Sequence, residues 1–251
     1  MSDLLEDLLR TADDRLLVGQ VQDALDALGQ AVRAAPADPR PYARRAALLI
    51  SLAETPSGAE PARSLRLAVA DLDRAVALGG KTAAVCFLRL RALAELGDLP
   101  AARAACAEAL ALDGGNPRLR EWGIRLAIRA GDPAEALRLV RAERAAAPDD
   151  FGWQRWEAEA LLLAGDWAAA RESLTALIAA HAPADPPAAP WEAPMWGAIY
   201  LQRAEACRRL GDYDTALADL ARAESFVPDD PALPFGRGLV AWAQGDEDRA
   251  F

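Results

Sequence analysis

Few side chains in this sequence have the chemistry of a catalytic group. The single histidine, His181, would have to act as the general base of any Ser-His-Asp or Cys-His site. It opens a proline-rich stretch, and a histidine in such a loop is usually solvated and not catalytic. We therefore predict that the chain has no catalytic residues and is not an enzyme.

The cysteines and one glycine pair are the remaining candidates for metal or cofactor chemistry. Cys86, Cys106 and Cys207 are too widely spaced for a metal or redox motif, so they are predicted to pack in the core. The Gly-Gly-Lys-Thr sequence at 79–82 matches the end of a phosphate-binding loop, but it lacks the upstream glycine and follows a helical pattern. We interpret it as a turn, and we predict no cofactor and no bound metal.

The charge balance and the hydropathy exclude several classes of partner. The chain has 251 residues, with 28 Lys+Arg against 38 Asp+Glu and a formal net charge of -10. Such an acidic protein is not expected to bind a nucleic-acid backbone, which selects a basic face. A membrane-spanning helix needs about 18 or more consecutive apolar residues, and the sequence has no such run. The acidic N-terminus lacks a secretory signal pattern. We predict a cytoplasmic protein with no nucleic-acid or membrane partner.

A repeated glycine indicates the elements that would position any binding residues. Five copies of this glycine are followed by aspartate: Gly97, Gly131, Gly165, Gly211 and Gly245. These glycines are 34, 34, 46 and 34 residues apart. Gly19, followed by Gln20, is an earlier copy. An alanine stands five residues after each glycine, at Ala24, Ala102, Ala136, Ala170, Ala216 and Ala250. This regular spacing predicts a structure of repeated units.

Each unit is predicted to be a hairpin of two helices. Alanine, leucine and arginine are abundant, and apolar residues recur at helical spacing on both sides of each glycine. The glycine suits the left-handed residue that ends the first helix, and the aspartate suits the N-terminal end of the second. Alanines at fixed places allow the two helices to approach closely.

At these residues the chain resembles the tetratricopeptide repeat family. The best copy, 197–230, contains Tyr200, Arg203, Ala204, Cys207, Leu210, Gly211, Asp212, Tyr213, Ala216, Leu220, Ala223 and Pro228. The resemblance implies an all-α, right-handed superhelical solenoid of stacked antiparallel helix hairpins, with a concave groove lined mainly by the first helices. We expect a single solenoid over 1–251, with units 5–38, 39–82, 83–116, 117–150, 151–196, 197–230 and a partial unit 231–251.

The resemblance also implies which residues face the groove. The first-helix positions projected from the family are Phe87, Arg91, Arg118, Glu121, Arg125, Arg129, Arg155, Glu159, Glu205, Arg208, Phe235 and Trp242. Arg91 and Arg125 hold the same place in consecutive units and are expected to stack along the groove. Guanidinium groups favour carboxylates, so we predict a site for an acidic peptide. Its candidate residues are Phe87, Arg91, Arg118, Arg125, Arg129, Arg155 and Arg208. In the alternative interpretation, the arginines pair with acids of the chain itself, such as Glu121 and Glu159.

Irregular regions have more than one interpretation. Unit 39–82 has extra residues near 53–61, which predict a long turn. The stretch 181–194 holds five prolines and is predicted to be a loop between repeats; alternatively, it docks a partner through Trp191 or Trp196.

The helix predicted at 233–243 is apolar on several sides, and the chain stops at Phe251. This end predicts either a piece of a longer protein or a surface for self-association.

The sequence therefore favours a non-catalytic scaffold that binds a peptide or a helix of another protein in its groove. The alternative is a regulatory or self-associating repeat region of a longer protein whose catalytic domain lies outside this chain. Some family members clamp a chaperone tail with asparagines and basic residues. This chain departs from that pattern, because its single asparagine, Asn116, lies in a predicted turn.

Overall fold

The computed structural model describes residues 2–55, 60–183 and 192–245, and in these ranges the chain forms thirteen helices and no strand. The helices are α1 (Ser2–Leu17), α2 (Val21–Ala34), α3 (Pro39–Ala53), α4 (Pro61–Ala77), α5 (Ala83–Glu95), α6 (Leu99–Leu112), α7 (Pro117–Arg129), α8 (Pro133–Ala146), α9 (Phe151–Ala164), α10 (Trp167–His181), α11 (Glu192–Arg209), α12 (Tyr213–Glu224) and α13 (Ala232–Ala243). The predicted all-α class of helical hairpins is confirmed.

The chain divides into two compact units, Met1–Leu126 and Ala127–Phe251, with the boundary inside α7. In the first unit, α1 packs on α2, α3 on α4 and α5 on α6, and the first helices α3 and α5 also touch. In the second unit, α9 packs on α10 and α11 on α12, while α13 contacts both α11 and α12. Each unit has apolar clusters of its own between these helices.

The turns between paired helices have the predicted chemistry. The repeated glycines adopt the left-handed conformation, with φ of 75° at Gly19, 81° at Gly97, 69° at Gly131, 73° at Gly165, 78° at Gly211 and 81° at Gly245. The aspartates that follow cap the second helix, because their carboxylates accept a hydrogen bond from a backbone N–H three residues later; these are Asp98, Asp132, Asp166 and Asp212. Gln20 makes no such cap.

The small residues at fixed repeat positions form the contact between paired helices. The alanines five residues after the turn glycines are fully buried at Ala24, Ala102, Ala136, Ala170 and Ala216. The three cysteines are buried as well and form no disulfide, which confirms their prediction as packing residues. A larger side chain at any of these alanine positions would push the two helices apart, because the interior has no spare volume.

Replacing Gly97 by alanine is expected to lower the free energy of unfolding by about 1–2 kcal/mol, which is the cost of a Cβ in the left-handed conformation. A Cβ there would meet no atom within 4 Å, so packing does not contribute. Gly29, inside α2, is the matched control: its Cβ would meet only Arg33, at 3.7 Å. Gly29→Ala should therefore raise the stability by up to about 1 kcal/mol. Urea denaturation followed by circular dichroism measures the free energy of unfolding of both variants. If Gly97→Ala and Gly29→Ala change this free energy in the same direction, the explanation is wrong.

The expectation that His181 is a solvated loop residue is wrong. His181 is the last residue of α10 and is half-buried, and its ring lies edge-on to Phe151 with the centroids 5.4 Å apart. The helix extends this far because the first proline of the stretch is Pro183, two residues later, and proline disfavours helix mainly at its own position and just before it.

The interpretation of Trp196 as an anchor for a partner is also wrong. The helix α11 begins at Glu192, because Pro194 is tolerated in a first turn, where its missing N–H has no partner to lose. Trp196 then lies one turn inside the helix, is only 4% exposed, and packs on Phe151 at a centroid distance of 5.6 Å. The predictions for Trp191, for the central prolines and for a helix after Gly245 concern residues outside the described ranges.

Candidate functional site

The candidate site follows from the repeat register. We define the first-helix face by the residues that lie ten, six and three positions before a turn glycine. Residues with this spacing share one side of a helix. On the last two first helices they are Leu201, Glu205 and Arg208 of α11 and Phe235, Leu239 and Trp242 of α13. All six are half-buried or exposed. Ala204, the residue just before Glu205, lies outside this set and is buried.

In the first unit, arginines and aromatic rings at the face positions or next to them form a cluster on α5 and α7. The guanidinium of Arg91 lies over the ring of Phe87 at 5.9 Å, and that of Arg125 lies over Trp122 at 4.3 Å. The two rings meet edge to face with centroids 6.3 Å apart. Each cation thus lies over a ring face, where the quadrupole of the ring is negative, and each pair contributes about 0.5–1 kcal/mol at a partly exposed site.

Arg91 also pairs within the chain. Its guanidinium donates a hydrogen bond to the carboxylate of Glu54, which comes from the end of the preceding hairpin's first helix. The pairing of groove arginines with acids of the chain, which the sequence left as an alternative, is therefore seen at this position. A carboxylate from a partner would have to share or displace Glu54.

In the second unit, a cavity of about 560 Å³ lies between α11 and α13. Its lining includes all six first-helix-face residues of these two helices, together with Ala204, Arg209, Leu220, Ala232, Gly236 and Val240. Phe235 is 68% exposed and Trp242 is 59% exposed. Two aromatic side chains with most of their surface in water, next to an apolar depression, are unusual in an isolated soluble protein.

Two arginines and one carboxylate form the polar edge of this cavity. Glu205 accepts hydrogen bonds from Arg208, at 2.7 Å to each oxygen, and from Arg209 at 2.7 Å. Burial raises the pKa of Glu205, but the hydrogen bonds from the two guanidinium groups outweigh that effect, so the pKa of Glu205 is lowered. The guanidinium of Arg209 also lies over the ring of Trp167 at 5.1 Å.

The remaining predicted site residues lie on α7 and α9. Arg118 and Arg129 lie on α7 and are exposed. Arg155 lies on α9, with its guanidinium 4.7 Å from the ring centroid of Trp156. Trp122, Leu201, Arg209 and Leu239 are further residues of these clusters that were not predicted from the sequence. For Leu201 and Leu239 the signal was available, because they hold the same repeat places as Phe87 and Arg91.

The described residues offer little reactive chemistry. Burial raises the pKa of all three thiols, to about 11 for Cys106, so few thiolates are present near neutral pH. Within 2–55, 60–183 and 192–245, no group of three or more His, Cys, Asp or Glu residues is placed to hold a metal ion. In the same part of the chain, no helix is both long enough and apolar enough to span a lipid bilayer.

Comparison with known families and structures agrees with this repeat architecture. A model of the tetratricopeptide repeat matches residues 62–117, 124–189 and 201–251, which together make up more than half of the chain. None of the curated proteins matches the sequence.

Several solved structures share the fold. A tetratricopeptide repeat protein from Parabacteroides merdae is 20% identical, with a TM-score of 0.70, over 99% of this chain and 90% of its own. PilW, a type IV pilus biogenesis factor, is 14% identical, with a TM-score of 0.64, over 91% and 96%. YrrB, described as a repeat protein of this type with an unusual peptide-binding site, is 17% identical, with a TM-score of 0.59, over 83% and 96%.

Proposed function

Because this chain belongs to the tetratricopeptide repeat family, whose members generally act as protein-interaction scaffolds, we propose that it binds a peptide or a helix of a partner protein on its first-helix face. The observation that carries the proposal is the cavity between α11 and α13 with Phe235 and Trp242 exposed beside it. Binding would remove these two aromatic side chains from water, and aromatic anchors of this kind commonly supply most of the energy of an interface.

The size and the lining of this cavity suit such a role. Its volume of about 560 Å³ is within the range of about 300–1,000 Å³ that is typical of ligand pockets. Leu201, Leu239 and Val240 provide an apolar floor, and the arginines at the edge can orient a ligand by hydrogen bonds. A site with these groups binds and positions a partner, and we propose no bond-making step at it.

The first unit has a candidate binding surface of its own, the aromatic–arginine cluster on α5 and α7. Phe87, Arg91, Trp122 and Arg125 lie at or beside the same repeat positions on α5 and α7. Guanidinium groups that already lie over rings are held in place, so they lose less freedom when they bind a carboxylate. We propose that this cluster and Arg118 favour acidic segments of a partner, and, as a separate proposal for the second unit, that Arg129, Arg155 and Arg208 do so there.

Site-specific photocrosslinking tests the location of the site. The photoreactive phenylalanine derivative benzoylphenylalanine would replace Phe235 on the first-helix face or, as the matched control, Leu217 on α12, which is 39% exposed. In cells of the source organism, we expect the same partner to be crosslinked from position 235 and not from position 217. Equal crosslinking from both positions would contradict the proposed face. A crosslink to a second copy of the chain would indicate self-association instead.

A further inference from the structure

The exposed side of α13 carries an apolar stripe with the spacing of a helix–helix contact. Phe235, Leu239 and Trp242 are four and three residues apart, so they follow one another along a single side of the helix over two turns. Gly236, beside the stripe, allows α12 of the same chain to pack closely, because a Cβ there would come within 2.8 Å of Leu220. A partner helix with apolar residues at the same spacing can interdigitate with such a stripe.

The polar edge of the cavity has more positive than negative charge. Among the described residues, Arg208 and Arg209 form ion pairs with one and the same carboxylate, that of Glu205. The side chain of Arg208 is 13% exposed and that of Arg209 is 50% exposed. Two guanidinium groups have more donors than one carboxylate can accept, so an incoming acidic residue would find unused donors here.

We propose, on the basis of the proposed function above, that the α11–α13 cavity binds an acidic amphipathic helix of a partner protein, and that Glu205 competes internally for the arginines that recognise it. The apolar side of the helix would pack on Phe235, Leu239 and Trp242. An aspartate or glutamate beside that side would bind Arg208 and Arg209 in place of Glu205. A basic helix would meet the two guanidinium groups as like charges, which disfavours it.

Selection from a random peptide library displayed on phage identifies the ligand chemistry without a known partner. The wild-type chain is the bait, and the Phe235→Ala/Trp242→Ala variant is used for counter-selection. Circular dichroism of both confirms that the variant is folded. We expect enriched peptides with large apolar residues at i, i+4 and i+7 and with neighbouring Asp or Glu, and we expect them to become helical on binding.

Binding of the best enriched peptide, labelled with fluorescein, then tests the role of the charges by fluorescence polarisation. Glu205→Gln removes the competing charge but keeps the size and the acceptor, so the affinity should rise by about 3- to 10-fold. Arg209→Gln, at the more exposed arginine, should lower the affinity by a similar factor, and Arg208→Ala/Arg209→Ala should lower it further. A peptide with its acids changed to amides should be insensitive to all of these substitutions.

The outcomes separate this inference from the proposed function. Enriched peptides that are neutral, basic or extended, or an affinity that does not rise in Glu205→Gln, would overturn the acidic-helix inference while peptide binding on this face stands. Peptides that bind the Phe235→Ala/Trp242→Ala variant with the same affinity as the wild-type chain would show that the binding site is not this cavity. Failure to enrich any peptide over an unselected library would count against both.

Discussion

Replacing Asp219 by asparagine is expected to lower the free energy of unfolding by about 3–5 kcal/mol, which is typical for the loss of one partner of a buried ion pair. Asp219 is 3% exposed and accepts two hydrogen bonds from Arg203, at 2.8 Å from Nε and 2.6 Å from Nη2. The bidentate contact raises the pKa of Arg203, so the guanidinium stays charged. Asparagine would leave that cation, whose side chain is 16% exposed, without its counter-charge.

The same pair occurs in an earlier repeat, which supports a structural role. Arg45 of α3 donates two hydrogen bonds of 2.7 Å to Asp71 of α4, at the repeat positions that correspond to Arg203 and Asp219. In both hairpins the pair connects the first helix to the second. The side chain of Asp71 is 9% exposed, against 4% for Asp219, so Asp71→Asn should be destabilising by a smaller amount.

Urea denaturation, monitored by circular dichroism at several wavelengths, measures this effect. The double variant Arg203→Met/Asp219→Leu should recover most of the lost stability, because it removes both charges and keeps the volume apolar. Arg237→Ala, which breaks a solvent-exposed pair with Glu224, is the control and should cost no more than about 1 kcal/mol. A loss of less than about 1 kcal/mol for Asp219→Asn, or no recovery in the double variant, would refute the buried-charge explanation.

Alanine at Phe235 or at Trp242 is expected to weaken partner binding by at least about 30-fold each, the effect of an interface hot spot of 2 kcal/mol or more. Isothermal titration calorimetry with the crosslinked partner, once purified, measures the loss. The stability of the chain itself should change by no more than about 0.5 kcal/mol, because both side chains are mainly in solvent. The prediction requires a loss of affinity together with an unchanged free energy of unfolding, because a variant that unfolds would lose affinity wherever the site is.

Two controls separate binding from folding in this experiment. Leu217→Ala removes an exposed apolar side chain of α12, outside the first-helix face, and should leave the affinity within about 2-fold. Trp196→Ala removes a buried ring and should lower the free energy of unfolding by about 3–5 kcal/mol. An affinity unchanged by both Phe235→Ala and Trp242→Ala would show that the cavity between α11 and α13 is not the binding site.

Residues of the candidate site were predictable from the sequence only where they occupy regular positions of the repeat. Glu205, Arg208, Phe235 and Trp242 were projected from their repeat positions, and these four residues line the α11–α13 cavity. The pairing of side chains was not predictable in the same way. Glu54, which binds Arg91, is 37 residues distant in sequence and lies where the repeat is interrupted, so no periodicity indicates the contact. Arg209 was missed because it lies outside the stripe of repeat positions.

The sequence by itself determined the hairpins, because their signals are local. A glycine with a positive φ and an aspartate that caps the next helix each act within a few residues of their own position, and the alanines at fixed distances contact the other helix of the same hairpin. Only the tertiary structure decided which apolar and charged residues are covered. Trp196 is buried and Trp242 is exposed, although apolar residues stand close to both in the sequence. Their exposure depends on which neighbouring helix packs against them, and that contact is made between residues far apart in the chain.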